Sequence, residues 1–285
     1  MKLVSYRHEG AERYGVTDGD GVVDISARLG GRFPTLKDAI AGLGLGEIAA
    51  AAEGASNDVA LGDIEFMFPI TQSPKVFCIG RNYRGYHEVI ADGKKPEWPS
   101  IFTRHMASFA AHGEAILRPR VSEELDYEGE LGVIIGKAGR HIPSERALDH
   151  VAGYTIVNEG SVRDWLRRGT QNFPGKNFYR SGAIGPWMVT ADEIPDLSDV
   201  PIKTWVDGDV RQDGATDMMI FDIPFLIAHL STITWLEPGD MIATGSPGGS
   251  ATESDPPKWL RPGQQIEVEI GPIGVLRNPI ELEPS

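Results

Sequence analysis

The segment Leu125-Asp126-Tyr127-Glu128-Gly129-Glu130-Leu131-Gly132-Val133-Ile134-Ile135-Gly136 constrains this chain more than any other. Its second half is an apolar, β-branched run closed by glycine, the pattern of a buried strand. Side chains two apart on a strand leave from one face, so Glu128 and Glu130 point the same way. At a rise of about 3.3 Å per residue, their Cα atoms lie roughly 6.5 Å apart. Two carboxylates thus share a small volume beside a hydrophobic strand, which is unfavourable unless something positive intervenes. A proton, a basic side chain or a hard divalent cation each meets that need, and an oxygen-rich site suits Mg²⁺, Mn²⁺ or Ca²⁺. A solvated strand face without such a partner is the alternative.

The 285 residues are 41% hydrophobic, enough for one sizeable core and a smaller appendage. A net charge of -14 argues against nucleic acid or an anionic membrane as partner, since phosphate binding needs a basic footprint. Arg163, Arg167 and Arg168 can still form a local positive pocket. The single cysteine, Cys78, excludes an internal disulfide and a thiolate zinc site, and in a buried strand it is expected to be inert. The opening residues do not read as a secretory leader, and no apolar run approaches the ~20 residues of a membrane span. A soluble cytoplasmic protein is the expectation.

Residues 1–70 read as a small N-terminal α/β module: strands at Lys2 to Tyr6, Arg13 to Thr17 and Gly21 to Ile25, then helices from Leu36 to Ala41, capped by Thr35, and from Glu47 to Glu53. Thr71 to Pro74 is a linker. Residues 75–285 form the main domain, beginning with a strand at Lys75 to Ile79. The polar stretch Arg81 to Gly93 is a surface loop or a mobile lid, and a second histidine-containing loop runs from His105 to Gly113. Ser144 is expected to cap a short helix. Strands are expected at Ile101 to Arg104, Val151 to Val157, Ile184 to Thr190, Ile202 to Val206, Gln265 to Ile270 and Ile273 to Leu276, with helices at Val162 to Arg168 and Phe221 to Leu230. The loop Thr244-Gly245-Ser246-Pro247-Gly248-Gly249 is not a phosphate loop, because no lysine follows its glycines. Many short strands and no dinucleotide fingerprint point to a β-rich α+β fold, a compact barrel or rolled sheet rather than a doubly wound one.

Four ordered blocks carry a family resemblance: Gly80-Arg81-Asn82-Tyr83; Tyr127-Glu128-Gly129-Glu130-Leu131; Asn158-Glu159-Gly160-Ser161-Val162-Arg163-Asp164; and Pro238-Gly239-Asp240 through Thr244 to Gly248, with Gly175-Lys176-Asn177-Phe178 and Gly185-Pro186-Trp187 between. From Lys75 to Pro279 the chain resembles the fumarylacetoacetate hydrolase family, in its branch of acylpyruvate hydrolases and 2-hydroxyhepta-2,4-diene-1,7-dioate isomerases. The resemblance implies a mixed β-roll catalytic domain, usually a homodimer, and one Mg²⁺ or Mn²⁺ held by Glu128, Glu130 and Glu159. It implies that Lys176 polarises or anchors a 2-oxo acid substrate, that Arg81 and Tyr83 contribute to its binding, and that Thr244, Gly245 and Ser246 hold its carboxylate. Water activated by a base would then attack the carbonyl remote from the carboxylate and release a pyruvate enolate, which the cation stabilises.

Three departures bear on the chemistry. Glu159 stands where the family usually has aspartate. Tyr86 and Val89 occupy the places of the usual catalytic histidine and its glutamate, with His87 and Glu88 next door as the candidate catalytic pair and His112 as the rival base. Leu166 replaces a glutamine, for which Gln171 is a substitute. Arg163 and Asp164 are expected to form a structural ion pair, and Tyr83, Trp165 and Phe178 core or pocket wall. The expected function is metal-dependent cleavage of an acylpyruvate such as maleylpyruvate or fumarylpyruvate, in aromatic-compound catabolism. The rivals are an isomerase or decarboxylase of a 2-oxo dioic acid through the same enolate, and a metal- or ligand-binding protein without turnover.

Overall fold

The computed structural model of the protein describes residues 1–42, 44–84 and 96–285. The proposed catalytic pair His87 and Glu88 therefore lies outside the described residues. The chain opens with an antiparallel meander of β1 (Lys2–His8), β2 (Ala11–Thr17) and β3 (Gly21–Asp24). β3 stops at Asp24 because that side chain turns back to accept the Ala27 N–H at 2.9 Å, capping a short helix, Ile25–Arg28. A helix follows at Leu36–Gly42, its Asp38 N–H bonded to Thr35 Oγ1 at 3.2 Å, and another at Leu45–Ala52. Two short strands, β4 (Val59–Ala60) and β5 (Glu65–Phe66), complete this part and pair with β3 and β1.

The rest of the chain is strand-rich: β6 (Val76–Gly80), β7 (Ser100–Thr103), β8 (Phe109–Ala111), β9 (Ile116–Arg118), β10 (Leu125–Asp126), β11 (Gly129–Ile135), β12 (Val151–Asn158), β13 (Ser161–Val162), β14 (Gly182–Thr190), β15 (Pro201–Val206), β16 (Asp209–Ala215), β17 (Met241–Ala243), β18 (Gln265–Ile270) and β19 (Gly274–Leu282). A twelve-stranded sheet runs β4-β3-β2-β1-β14-β12-β11-β17-β6-β7, with β5 and β8 joining at β1 and β14. β1 lies against β14 through Lys2 and Leu3, so the N-terminal meander extends the main sheet. A five-stranded sheet, β16-β15-β18-β19-β9, packs on it. This is the α+β, strand-rich arrangement expected, and no described helix is long and apolar enough to cross a membrane.

β11 is buried along its whole length, which explains its uninterrupted apolar run. Leu131 and Val133 join the core shared with Ile202, Val206, Ile266 and Val268 of the second sheet. Ile134 faces the other way, into a core with Leu3, Ile40 and Ile70 from the N-terminal part. Glu128 and Glu130 are in phase with Ile134 and lie where this second core gives way to a cavity.

Several boundaries differ from sequence expectation. Pro143, not Ser144, caps a 3₁₀ turn, Ser144–His150, without a side-chain bond. The helix after Val162 is one turn long, Arg163–Leu166. The last strand reaches Leu282, past Pro279, because pairing with β18 and then with β9 carries it on. The helix expected from Phe221 to Leu230 runs Ile223–Ile233, capped by Asp222, which accepts the Phe225 N–H at 2.8 Å.

Asn82, in the loop after β6, ties three segments together. Its amide nitrogen donates to the carbonyls of Phe221 (3.0 Å) and Thr244 (2.7 Å), and its Oδ1 accepts the Phe221 N–H (2.9 Å). In Asn82→Ala these buried bonds are lost and stability is expected to fall by about 3 kcal/mol. Urea unfolding checks this, and an unchanged midpoint would show that the loop is held by other contacts.

Candidate metal centre

Antiparallel pairing of β11 with β12 builds the site. Gly129 lies opposite Asn158 and Glu130 opposite Val157, so Glu159, just past the end of β12, arrives beside Glu128, just before β11. The Glu159 N–H donates to the Glu128 carbonyl at 2.8 Å, and the Glu128 N–H to Asn158 Oδ1 at 3.1 Å. One carboxylate oxygen from each of Glu128, Glu130 and Glu159 lies within 4.8 Å of the others, and all three residues are buried. Glycine follows Glu159 for a packing reason, since a Cβ on Gly160 would sit 2.0 Å from the Ser181 carbonyl oxygen.

Each carboxylate is held by its own donor. Glu128 Oε1 takes Arg163 Nη2 at 2.5 Å, and its Oε2 takes the Lys176 ammonium. Glu159 Oε1 takes Nη1 of the fully buried Arg104 at 2.7 Å, while its Oε2 also takes Lys176. Glu130 Oε2 accepts the Gly245 N–H at 2.8 Å. Arg104 is itself fixed by Ser108, Gly160 and Ser181 through bonds of 2.9–3.0 Å.

Charge balance follows from these contacts. Burial raises the Glu128 carboxyl, but Lys176 and Arg163 outweigh it and bring it to about 2. Burial, then Glu159 and Glu128, push Glu130 well above the ordinary carboxylate range. Glu159 is raised by burial, against the pull of Lys176 and Arg104. For Lys176 burial works against the charge, yet Glu128 and Glu159 overcome it and raise its pKa. Without a cation, then, Lys176, Arg163 and Arg104 together answer Glu128 and Glu159, and a proton is favoured on Glu130. Three hard oxygen donors at this spacing fit a divalent cation such as Mg²⁺ or Mn²⁺.

The three glutamates and Lys176 line one cavity of about 250 Å³, with Arg81, Ser100, Phe102, Arg163, Leu166, Asn172 and Ser246. Of the residues expected to bind substrate, Arg81 and Ser246 are on its wall, and Gly245 supports Glu130 from behind. Tyr83 and Thr244 are not on that wall: Tyr83 is fully buried, and the Thr244 hydroxyl donates to the Leu131 carbonyl at 3.0 Å. His112, the rival base, is not among the described residues of that wall: it packs edge-on against Phe66 and its Nδ1 accepts the Arg277 N–H. Asn172, not Gln171, faces the cavity near Leu166. Arg163 does not pair with Asp164, since neighbours on a helical turn diverge by about 100°. It turns to Asp126 and Glu128, and Asp164 bonds Ser122 and faces Arg168. Trp165 and Phe178 meet edge-to-face at 5.2 Å, packed against the core. Arg104, Asp126 and Asn172 were not singled out by sequence, because nothing local marks them.

Residues 75–281 match the family model described as fumarylacetoacetate (FAA) hydrolase C-terminal. The oxaloacetate tautomerase YisK of Bacillus subtilis is 42% identical over 224 residues, 78% of this chain and 74% of its own. A fumarylacetoacetate hydrolase from Exiguobacterium antarcticum superposes with a TM-score of 0.83 at 32% identity, over 99% of this chain and 100% of its own. Maleylpyruvate hydrolase from Sphingobium sp. SYK-6, in complex with manganese (II) and pyruvate, gives 0.83 at 27% identity over the whole of both chains. The chain belongs to the fumarylacetoacetate hydrolase family, whose members are enzymes that include hydrolases, isomerases and tautomerases.

A metal-bound site needs Glu130 ionised, whereas burial beside Glu159 and Glu128 favours its protonated form. Mn²⁺ uptake is therefore expected to release protons and to weaken as pH falls. Calorimetry in buffers of different ionisation enthalpy reads this directly, and uptake without proton release would contradict the charge balance above.

Proposed function

We propose that the protein interconverts the enol and keto forms of a small 2-oxo dicarboxylic acid of the oxaloacetate class, using Mg²⁺ or Mn²⁺ held by Glu128, Glu130 and Glu159. The observation that carries this reading is a buried carboxylate cluster adjoining a pocket wall that includes Leu166, an apolar side chain where the family resemblance implies a glutamine. Among the described residues no histidine lines that pocket. Tautomerisation needs a stabilised enolate and a proton moved between O2 and C3, but no oriented water. The 42% identity to an oxaloacetate tautomerase supports the same class.

The bound cation would supply Lewis-acid stabilisation of the charge that develops on the 2-oxo oxygen. The chain's own residues do the rest. Lys176 keeps its proton because Glu128 and Glu159 face it, so its N–H groups are donors for that oxygen. With Glu128 and Glu159 still beside it to favour the ammonium form, Lys176 would turn to substrate once those carboxylates were engaged by the bound cation. Arg81, an exposed residue on the pocket wall, and the Ser246 hydroxyl suit the second carboxylate of the substrate.

Cleavage of an acylpyruvate is the second reading. It is favoured by the whole-length likeness to a maleylpyruvate hydrolase in complex with manganese (II) and pyruvate, and by Asn172, a polar group on the pocket wall near Leu166. Both reactions pass through a pyruvate-type enolate.

The deciding experiment presents the enol of oxaloacetate to chelator-stripped protein, with and without Mn²⁺, and follows loss of the enol's ultraviolet absorbance beside pyruvate and carbon dioxide release. Metal-dependent ketonisation is expected. No effect on oxaloacetate, with pyruvate and the matching acid released from maleylpyruvate, would replace this reading with the hydrolase.

Two variants test the roles assigned. Lys176→Met should slow turnover by about 100-fold, the usual effect of losing an oxyanion donor. Arg81→Gln should raise KM for oxaloacetate by about tenfold, the equivalent of one lost charge contact, and leave a monocarboxylic 2-oxo acid unaffected. Equal loss on both substrates would take Arg81 out of carboxylate recognition.

A further inference from the structure

Asp126 is fully buried and belongs to none of the roles assigned so far. It sits on β10, which pairs with β13 so that Leu125 faces Val162 and Asp126 faces Ser161. That two-stranded ladder leads directly into Glu128 on one side and Arg163 on the other. Asp126 Oδ2 accepts Arg163 Nε at 2.6 Å, and the same guanidinium reaches Glu128 Oε1 through Nη2 at 2.5 Å. Asp126 Oδ1 accepts the backbone N–H groups of Tyr127 at 2.8 Å and Ala251 at 2.6 Å, and Oδ2 also faces the Thr252 N–H at 3.4 Å. Every one of these partners is a donor, so the side chain acts purely as an acceptor, anchored to the backbone on two segments.

We propose that Asp126 is a positioning residue for the metal centre: it fixes the Arg163 guanidinium so that Glu128 is held at Oε1 and presents Oε2 to the cation. The proposal rests on the metal reading of the three glutamates but not on which reaction they serve. The physical case is one of charge and direction. Arg163 alone, next to Glu128, would compete with a dication for that carboxylate and repel it. Asp126 takes up part of the guanidinium's charge and dictates which edge it offers, because a planar donor with fixed N–H directions cannot serve Nε and Nη2 partners in any other orientation. The flanking carboxylate thus does for an arginine-supported glutamate what hydrogen-bonded partners do for metal-bound histidine and carboxylate ligands generally.

Mn²⁺ binding to chelator-stripped protein, measured by titration calorimetry beside a thermal melt, tests it without reference to turnover. Asp126→Asn keeps an acceptor for the backbone amides and removes the charge that holds Arg163, so Mn²⁺ affinity is expected to drop about 10- to 100-fold. Arg163→Gln removes the group through which Asp126 acts. Adding Asp126→Asn in that background is expected to shift Kd by less than about twofold. A purely structural Asp126 would lower the melting temperature and leave the Kd of the folded protein unchanged, and that result overturns the proposal. Additive losses in the double variant overturn it as well. Should Asp126→Asn not fold, Asp126→Glu decides, because its longer side chain cannot meet Arg163 and the Ala251 amide together; a loss of at least about threefold is expected, and wild-type affinity is contradictory. Wild-type protein that takes up no Mn²⁺ would remove the metal reading and the proposal together, whereas equal binding by wild type and Asp126→Asn removes the proposal alone.

Discussion

Three carboxylates converge in a buried volume at the end of the β11–β12 ladder, and the arrangement around them is a response to that concentration of negative charge. Removing a carboxylate from water without a partner costs several kcal/mol, so such a cluster persists only when each member is answered. Arg163 answers Glu128, Arg104 answers Glu159, the Gly245 amide answers Glu130, and Lys176 bridges Glu128 and Glu159. The donors come from distant parts of the chain. The described segments around the site are consequently held by the same bonds that hold the glutamates, and they are stiff because those charges must be.

That stiffness explains the division of labour along the cavity wall. Residues on the closed side, such as Arg104, Asp126 and Gly245, are committed to carboxylates and have no freedom to meet substrate. Arg81 and Ser246 lie on the wall without such commitments among the described bonds. Lys176 belongs to both groups. Its ammonium is held by Glu128 and Glu159, and on the proposed reading a cation bound there would free it for substrate. That exchange would make metal binding, proton release and substrate readiness parts of one equilibrium.

The fold class and the three glutamates were legible in the sequence for a definite reason. Strand periodicity puts Glu128 and Glu130 on one face, and the apolar run behind them says that the face is buried. Glu159 and Lys176 were reached through the ordered blocks, and both stand in the cluster. What sequence missed depends on tertiary distance. Arg104 is 55 positions from Glu159, and nothing in its own neighbourhood marks it as a ligand clamp. Tyr83 and Thr244 sit in the right loops, but a loop motif does not say which side chains turn inward, and these two turn to the core. His112 carries an imidazole, but the fold sets it beside Phe66 and Arg277 and not on the described cavity wall. The last strand was expected only as far as Leu276, and it runs on past Pro279 to Leu282 because partner strands on both sides extend it.

The central claim is that Glu128, Glu130 and Glu159 hold one divalent cation by releasing Lys176 and a proton. Anomalous diffraction from crystals soaked in Mn²⁺ addresses it most directly. One peak within about 2.2 Å of an oxygen from each glutamate, with the Lys176 ammonium no longer bridging Glu128 and Glu159, is the result this account predicts. Lys176 still bridging the two carboxylates, with manganese absent or bound elsewhere, would contradict it.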